Sequence, residues 1–146
     1  MAYKGTFKPK NPEKYVGDVK GIIYRSFIEL SFMRYLDSEP NVIAWASEEM
    51  HIKYISPKDN KVHKYFPDFL IRKIDESGKE GTLIVEIKHT SETSPPKKPK
   101  KVTKRFLAEC MTWEINQAKW KAAEEFCKDR KWKFEVITQK DLNLKY

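Results

Sequence analysis

The sequence predicts an α/β fold, a mixed β-sheet flanked by helices with its elements in the order α-β-β-β-β-α-β. Three observations carry that prediction. Apolar residues recur at helical spacing in two separate segments, 22–37 and 106–130. Between and after them lie short runs rich in Val, Ile and aromatic residues, bounded by turn residues. The 146 residues, 40% hydrophobic and 13% aromatic, are enough for one domain with a core of moderate size.

Taken in order, residues 1–20 hold Gly5, Pro9, Pro12 and Gly17 among scattered lysines and keep no period, so they read as an extended arm that docks through Phe7 and Tyr15. From Ile22 to Asp37, Tyr24, Ile28, Phe32, Tyr35 and Leu36 form a helical stripe that Ser38-Glu39-Pro40 ends. Val42 to Ala46 and Met50 to Ile55 read as strands, followed by a turn at Ser56 to Lys61. Tyr65 to Ile74 and Thr82 to Lys88 read as a hairpin around Asp75-Glu76-Ser77-Gly78. His89 to Lys101 is a proline-broken polar loop. Phe106 to Arg130 carries Trp113, Asn116, Trp120, Ala123 and Cys127 at spacings of three and four, and Trp132 to Thr138 is a final strand before a frayed turn.

Charge and composition exclude several classes. The longest apolar run, Val42 to Ala46, is far short of the roughly 20 residues that cross a bilayer. Nothing apolar follows Met1-Ala2-Tyr3-Lys4-Gly5 as in a secretory signal, so a soluble intracellular protein is expected. Cys110 and Cys127, 17 positions apart on one helix, are separated by about 25 Å and cannot pair, which suits a reducing compartment. The net charge of +8 is local: residues 1–20 contribute +3, and Pro95 to Arg105, with Lys97, Lys98, Lys100, Lys101, Lys104 and Arg105, contributes +6, leaving −1 for the remainder. Of the 29 basic residues 24 are lysine, which suits salt-sensitive phosphate contact better than reading of base edges. A merely solubilising surface is the alternative. No phosphate loop or nucleophile elbow occurs, and His51, His63 and His89 lack paired ligand spacing, with His89 expected on the surface or in packing.

The hairpin is the most specific feature. Leu83, Val85 and Ile87 are apolar at odd positions while Glu86 and Lys88 share the even face; in the partner strand Pro67, Phe69 and Ile71 are apolar and Asp68 and Arg72 lie on the even face. A hairpin centred on Ser77 sets Asp68 opposite Glu86. Opposed residues have Cβ atoms roughly 4.5–5.5 Å apart, so the two carboxylates could hold one hard cation, magnesium or manganese, with Lys88 beside it. A cross-strand salt bridge between Asp68 and Lys88 explains the same pattern without chemistry. Glu29 is equally open: Ser26-Phe27-Ile28-Glu29 matches a capping box, yet Arg25 and Glu29 lie beside the stripe that faces the sheet.

Pro67-Asp68 followed by Glu86-Ile87-Lys88 has the form of the PD-(D/E)xK nuclease motif. With Tyr24-Arg25-Ser26, Asn41-Val42-Ile43-Ala44-Trp45, Tyr65-Phe66-Pro67-Asp68 and Trp120-Lys121-Ala122-Ala123, the chain resembles, over nearly its whole length, the head completion nucleases of contractile-tailed bacteriophages. That family is similar in turn to the TnsA-type transposon-end nucleases. The resemblance implies a single nuclease domain over 1–146, with endo- and exonucleolytic cleavage of double-stranded DNA that depends on magnesium, for which manganese would substitute. It implies Glu29, Asp68 and Glu86 as metal-holding acids and Lys88 as the catalytic lysine, with Arg25, the arm and the 95–105 segment on phosphates. Hydrolysis would follow in-line attack of a water, with Glu29 holding a second ion or orienting that water. Asn116 and Lys119 stand where relatives place a supporting polar residue; burial with a backbone partner is the plainer reading of Asn116. Preference for DNA structure or ends rather than a cognate sequence is expected, since no recognition helix or zinc module is present. The expected partners are phage head and portal proteins, with no membrane and no nucleotide cofactor. The expected setting is host cytoplasm during virion assembly, with retention in the virion as a further expectation. Two rivals stand beside this: a non-catalytic connector that binds DNA or the portal, and a TnsA-like transposon-end or junction endonuclease. The latter usually carries an added C-terminal domain.

Overall fold

The computed structural model describes residues 4–142. The ends of the predicted arm and of the closing turn, residues 1–3 and 143–146, lie outside them. Elements run β1 (Gly5–Thr6), β2 (Ile23–Tyr24), α1 (Phe27–Ser38), β3 (Val42–Ser47), β4 (Ile52–Ile55), β5 (Val62–Tyr65), β6 (Phe69–Ile74), β7 (Glu80–Ile87), α2 (Lys104–Arg130) and β8 (Lys133–Ile137). A four-stranded sheet has the order β3-β6-β7-β8, antiparallel except for the parallel β7–β8 pair. The pairs β1–β2 and β4–β5 stand as separate ribbons.

Two expected elements change. The first helix begins at Phe27 rather than Ile22, because Ile23 and Tyr24 pair with Thr6 and Gly5 of the arm before Ser26 caps the helix. The strand expected from Tyr65 to Ile74 is broken at Phe66-Pro67-Asp68. Pro67 is fully buried and has no N–H to offer a ladder, so the chain leaves the β4–β5 ribbon and re-enters the main sheet at Phe69. Five strands therefore lie between the helices instead of four, and two precede the first. Between β6 and β7 the turn is as expected. The Asp75 carboxylate accepts from Ser77 N–H and Lys79 N–H at 2.9 Å each, and Gly78 takes φ +82°, which an L side chain would strain.

The sheet buries both faces. Phe69, Ile71, Val85 and Ile87 meet Ile28, Phe32 and Leu36 of α1, with Trp45 boxed in by Phe7 and Tyr15 of the arm. The arm is thus docked, and it is tied down at the far end of α1. There the buried Asp37 carboxylate accepts Lys10 N–H at 2.8 Å and Asn11 N–H at 3.0 Å. Lys14 Nζ donates to the carbonyls of Asp37 and Glu39, so one lysine of the arm completes a helix C-terminus. On the other face Ile84 packs with Ala123 and Cys127 of α2 and with Ile52 and Tyr65 of the β4–β5 ribbon. Both cysteines are free, and burial pushes the Cys127 thiol up to about 11, so it stays protonated at neutral pH. Among the described residues no helix is long and apolar enough to cross a membrane.

Candidate active site

The strand pairing gathers the acids at one end of the sheet. Phe69 opposes Val85 and each later pair keeps step, which is the register expected from the alternation. Asp68 sits just before β6 and Glu86 next to the end of β7, while Lys88 follows β7 and is pinned by its N–H to Ile137 O at 3.0 Å. Asp68 turns its carboxylate back to accept Ile87 N–H at 2.7 Å. The Asp68 and Glu86 carboxyls are close enough to act on each other electrostatically, and Glu86 is itself buried. Burial first, and the neighbouring Glu86 second, hold the Asp68 carboxyl well above the usual carboxylate range. Glu86 is raised as well, mainly by burial, although Tyr65, Lys88 and Lys119 all pull it back down.

Glu29 enters from the first turn of α1. Ser26 Oγ accepts Glu29 N–H at 3.1 Å, so half of the expected capping box forms. The reciprocal half is displaced: Glu29 Oε2 takes the N–H of Arg25, one residue before the cap, at 2.5 Å. This holds the carboxylate toward the other acids, where it feels Glu48, Arg25 and Lys88. Burial raises its pKa. Arg25 is exposed, and its guanidinium reaches Glu48 Oε1 at 2.6 Å.

Two residues of the site are not legible from motif spacing. Glu48 follows β3 with φ +54°, donates its N–H to Asp68 O at 3.2 Å and raises both Asp68 and Glu29. Its place depends on the β3–β6 pairing and a left-handed turn, for which the sequence offers no local signal. Tyr65, buried at the end of β5, donates its hydroxyl to Glu86 Oε2. The ammonium of Lys119 lies 5.7 Å from the Tyr65 ring centroid and 5.9 Å from that of Tyr54, so Lys119 backs the Glu86 side of the site from α2. Asn116 is half-buried and lines a cleft of about 540 Å³ between α2 and the loop after Lys88, together with Ser94, Pro96, Arg105 and Trp113; it is not drawn into the acids.

The plainer explanations of the hairpin charges do not hold. Lys88 Nζ approaches Glu92 Oε2 at 3.6 Å, and among the described residues the cross-strand ion pair with Asp68 is absent. His89 has the packing role expected of it: Nε2 meets Gln139 Nε2 at 3.1 Å and Nδ1 accepts Ser91 N–H at 3.2 Å. Lys97, Lys98, Lys100, Lys101, Lys104 and Arg105 are all exposed, and Arg105 pairs with Glu109 at 3.1 Å.

An all-oxygen donor set in which two crowded carboxyls repel each other suits a hard divalent cation, whose charge would relieve that repulsion. Among the described residues, no three His, Cys, Asp or Glu side chains form a ready-made ligand cluster. Two protein carboxylates would leave most of the coordination of such a cation to waters and substrate oxygens, an arrangement that magnesium accepts.

The chain is 43% identical over 146 residues to the head completion nuclease of Enterobacteria phage T4, spanning 97% of this chain and 95% of that protein. The sequence model of the TnsA-like endonuclease N-terminal domain matches residues 39–139, which include Glu48, Asp68, Glu86 and Lys88 and leave Arg25 and Glu29 outside. The carboxylate end of the sheet and the whole-length likeness lead to one assignment: the chain belongs to the TnsA-like endonuclease family.

Proposed function

We propose that this protein is a DNA nuclease of phage head completion, hydrolysing phosphodiesters of packaged DNA with a divalent cation seated on Asp68 and Glu86. The observation that carries this reading is the gathering of two mutually repelling, largely buried carboxyls, Asp68 and Glu86, at one end of the sheet, with Lys88 directly after the same strand as Glu86. When bound, magnesium or manganese supplies a water of lowered pKa and a counter-charge for the phosphate. Lys88 Nζ stabilises the charge that grows on the phosphate oxygens. Glu29, steadied by Arg25 N–H, orients the attacking water or holds a second ion. Arg25, Lys97, Lys98, Lys100, Lys101, Lys104 and Arg105 hold DNA phosphates on either side, and the DNA's structure or ends select the substrate. Head and portal proteins are the proposed partners, met in the host cytoplasm during assembly.

The test is supercoiled plasmid with magnesium, with manganese and with EDTA, beside Lys88→Ala. Nicking is expected with either metal and none with EDTA, and Lys88→Ala is expected to slow it by about 10²–10³-fold without a change in melting temperature. Wild-type protein that binds plasmid but never cuts it, in either metal, would hand the site to the connector reading.

Tyr65→Phe checks the role of the hydroxyl on Glu86. Removing it keeps the ring in the core but leaves Glu86 Oε2 without its donor. The magnesium concentration for half-maximal cleavage is expected to rise roughly tenfold or more, with KM for DNA unchanged. A metal titration of the cleavage rate measures it, and an unchanged midpoint would remove Tyr65 from the site.

A further inference from the structure

We infer that the outer face of the β4–β5 ribbon is a second DNA-backbone contact, a basic wing attached directly to the acid site. This rests on the reading of the site as a DNA nuclease. Its pairing is Ile52 with Tyr65, Lys53 with Lys64, Tyr54 with His63 and Ile55 with Val62. Ile52 and Tyr65 are buried against α2, which leaves Lys53, Lys64, Ile55 and Val62 on the outer face, all exposed. Two lysines directly opposed on a ladder have Cβ atoms only about 4.5–5.5 Å apart and repel. Among the described residues neither has an acidic partner within ion-pair distance. Lys58 and Lys61 add two more exposed charges at the turn. Asp59, the single acid between 51 and 67, is already taken by His63 at 2.8 Å and Lys61 N–H at 3.0 Å. An uncompensated positive face of this kind suits a polyanion.

Its position indicates which polyanion. The base of the ribbon, Tyr65, donates to Glu86, and the chain runs on through Phe66 and Pro67 into Asp68. From Tyr65 the lysines at 64 and 61 lie about 3 and 13 Å along the strand at roughly 3.3 Å per residue. Tyr65 faces inward and Lys64 outward, so a duplex bound at the acids would bring phosphates to these lysines where it continues past the ribbon onto its outer face. Along α2, Lys119 against the ribbon and Lys104 at the start of the helix are about 22 Å apart at 1.5 Å per residue. The point of α2 that backs the ribbon and the 97–105 segment are thus separated by about six base pairs at 3.4 Å each. A protein partner is the weaker occupant. Ile55 and Val62, 63% and 64% exposed, are the apolar content of this face, too little for the desolvated centre of a stable protein interface.

The experiment is fluorescence anisotropy of the full chain with a random duplex of about 30 base pairs in EDTA, at salt from about 50 to 200 mM. Lys53→Gln/Lys64→Gln is compared with Lys79→Gln/Lys133→Gln, which removes the same charge at the opposite end of the sheet. The first pair is expected to melt no lower than wild type, to make the log–log salt slope shallower by about 2 and to weaken binding on the order of tenfold, while the second keeps the wild-type slope. The inference is overturned by an unchanged slope, by an equal change in both pairs, or by wild-type protein that does not bind DNA. It is overturned too if the wing variant binds DNA normally yet fails to join DNA-filled heads to tails, which would assign the face to a protein. Binding is read without cleavage, so the two readings fail separately. A protein that never nicks plasmid but loses binding in the wing variant keeps the wing and loses the nuclease. A wing variant that binds as wild type, beside an inactive Lys88→Ala, does the reverse.

Discussion

With Asp68→Asn the protein is expected to melt later than wild type in EDTA and to cut no DNA. The Asp68 carboxyl is held above its usual range by burial and by Glu86, Glu29 and Glu48, so ionising it costs the folded state. Asparagine can still accept Ile87 N–H through its carbonyl oxygen, so the strand end survives while one repelling charge is removed. The gain is roughly 3–6 °C at neutral pH, the equivalent of about 1–2 kcal/mol for a chain of this size. If Asp68 holds the cation as proposed, cleavage is expected to fall by at least about 10³-fold. The sign of the pH dependence follows. A carboxyl whose folded pKa lies above its ordinary 3.8 binds its proton more tightly when folded. Its stabilisation is complete below that ordinary value and is lost as pH rises through the raised one. Wild-type melting temperature in EDTA should therefore fall as pH climbs above about 4, and Asp68→Asn should flatten that fall. Magnesium at neutral pH should recover stability in wild type and do little in the variant. A variant that melts earlier at every pH would show that the carboxyl serves structure first.

Asp37→Ala is expected to be the most destabilising of the changes considered, by about 3 kcal/mol or roughly 10 °C. The buried carboxylate accepts two consecutive backbone N–H groups, and truncation leaves both donors without an acceptor. Asn11 Nδ2 also donates to Asp37 O at 2.9 Å, so the arm and the helix end loosen together. Asp37→Asn keeps one acceptor oxygen and should lose about half as much. The turnover rate of the folded protein should hold in both. Asp37 is eight residues from Glu29, about 12 Å along α1. Thermal melts and single-turnover cleavage below the melting point separate the two effects; a fall in turnover would show that the arm reaches the chemistry.

The hairpin was legible because period-two alternation decides both the face and the register, and β6–β7 follows it residue by residue. The long helix was legible because Trp120, Ala123 and Cys127 repeat at its period, although it starts at Lys104, capped by Thr103, two residues before the expected Phe106. The start of α1 was not. Ile22 to Tyr24 lie in phase with the helical stripe, and only pairing with Gly5–Thr6, far away in sequence, draws them out straight. The break at Pro67 was masked by apolar neighbours on both sides, which read as one strand. Glu29 and Asp68 stand near each other through tertiary packing that spacing alone could only suggest. Glu48 depends on the pairing of β3 with β6 and on one left-handed residue, so no window of sequence contains the information.

The parallel pairing of β8 has a consequence in time. Lys88 is pinned by Ile137 O, and the segment after it is locked by Gln139, whose side chain accepts Thr90 N–H across 49 residues. At 5–20 residues per second, those partners leave the ribosome roughly 2–10 s after Lys88 itself. Until then the lysine stands on an open strand edge, with Asp68 before β6 and Glu86 of β7 already made but their neighbour unplaced. The end of the sheet that gathers Asp68, Glu86 and Lys88 is thus completed only after α2 has been synthesised and β8 has docked. A chain that stalls earlier lacks the two partners that hold Lys88 and Thr90 in place.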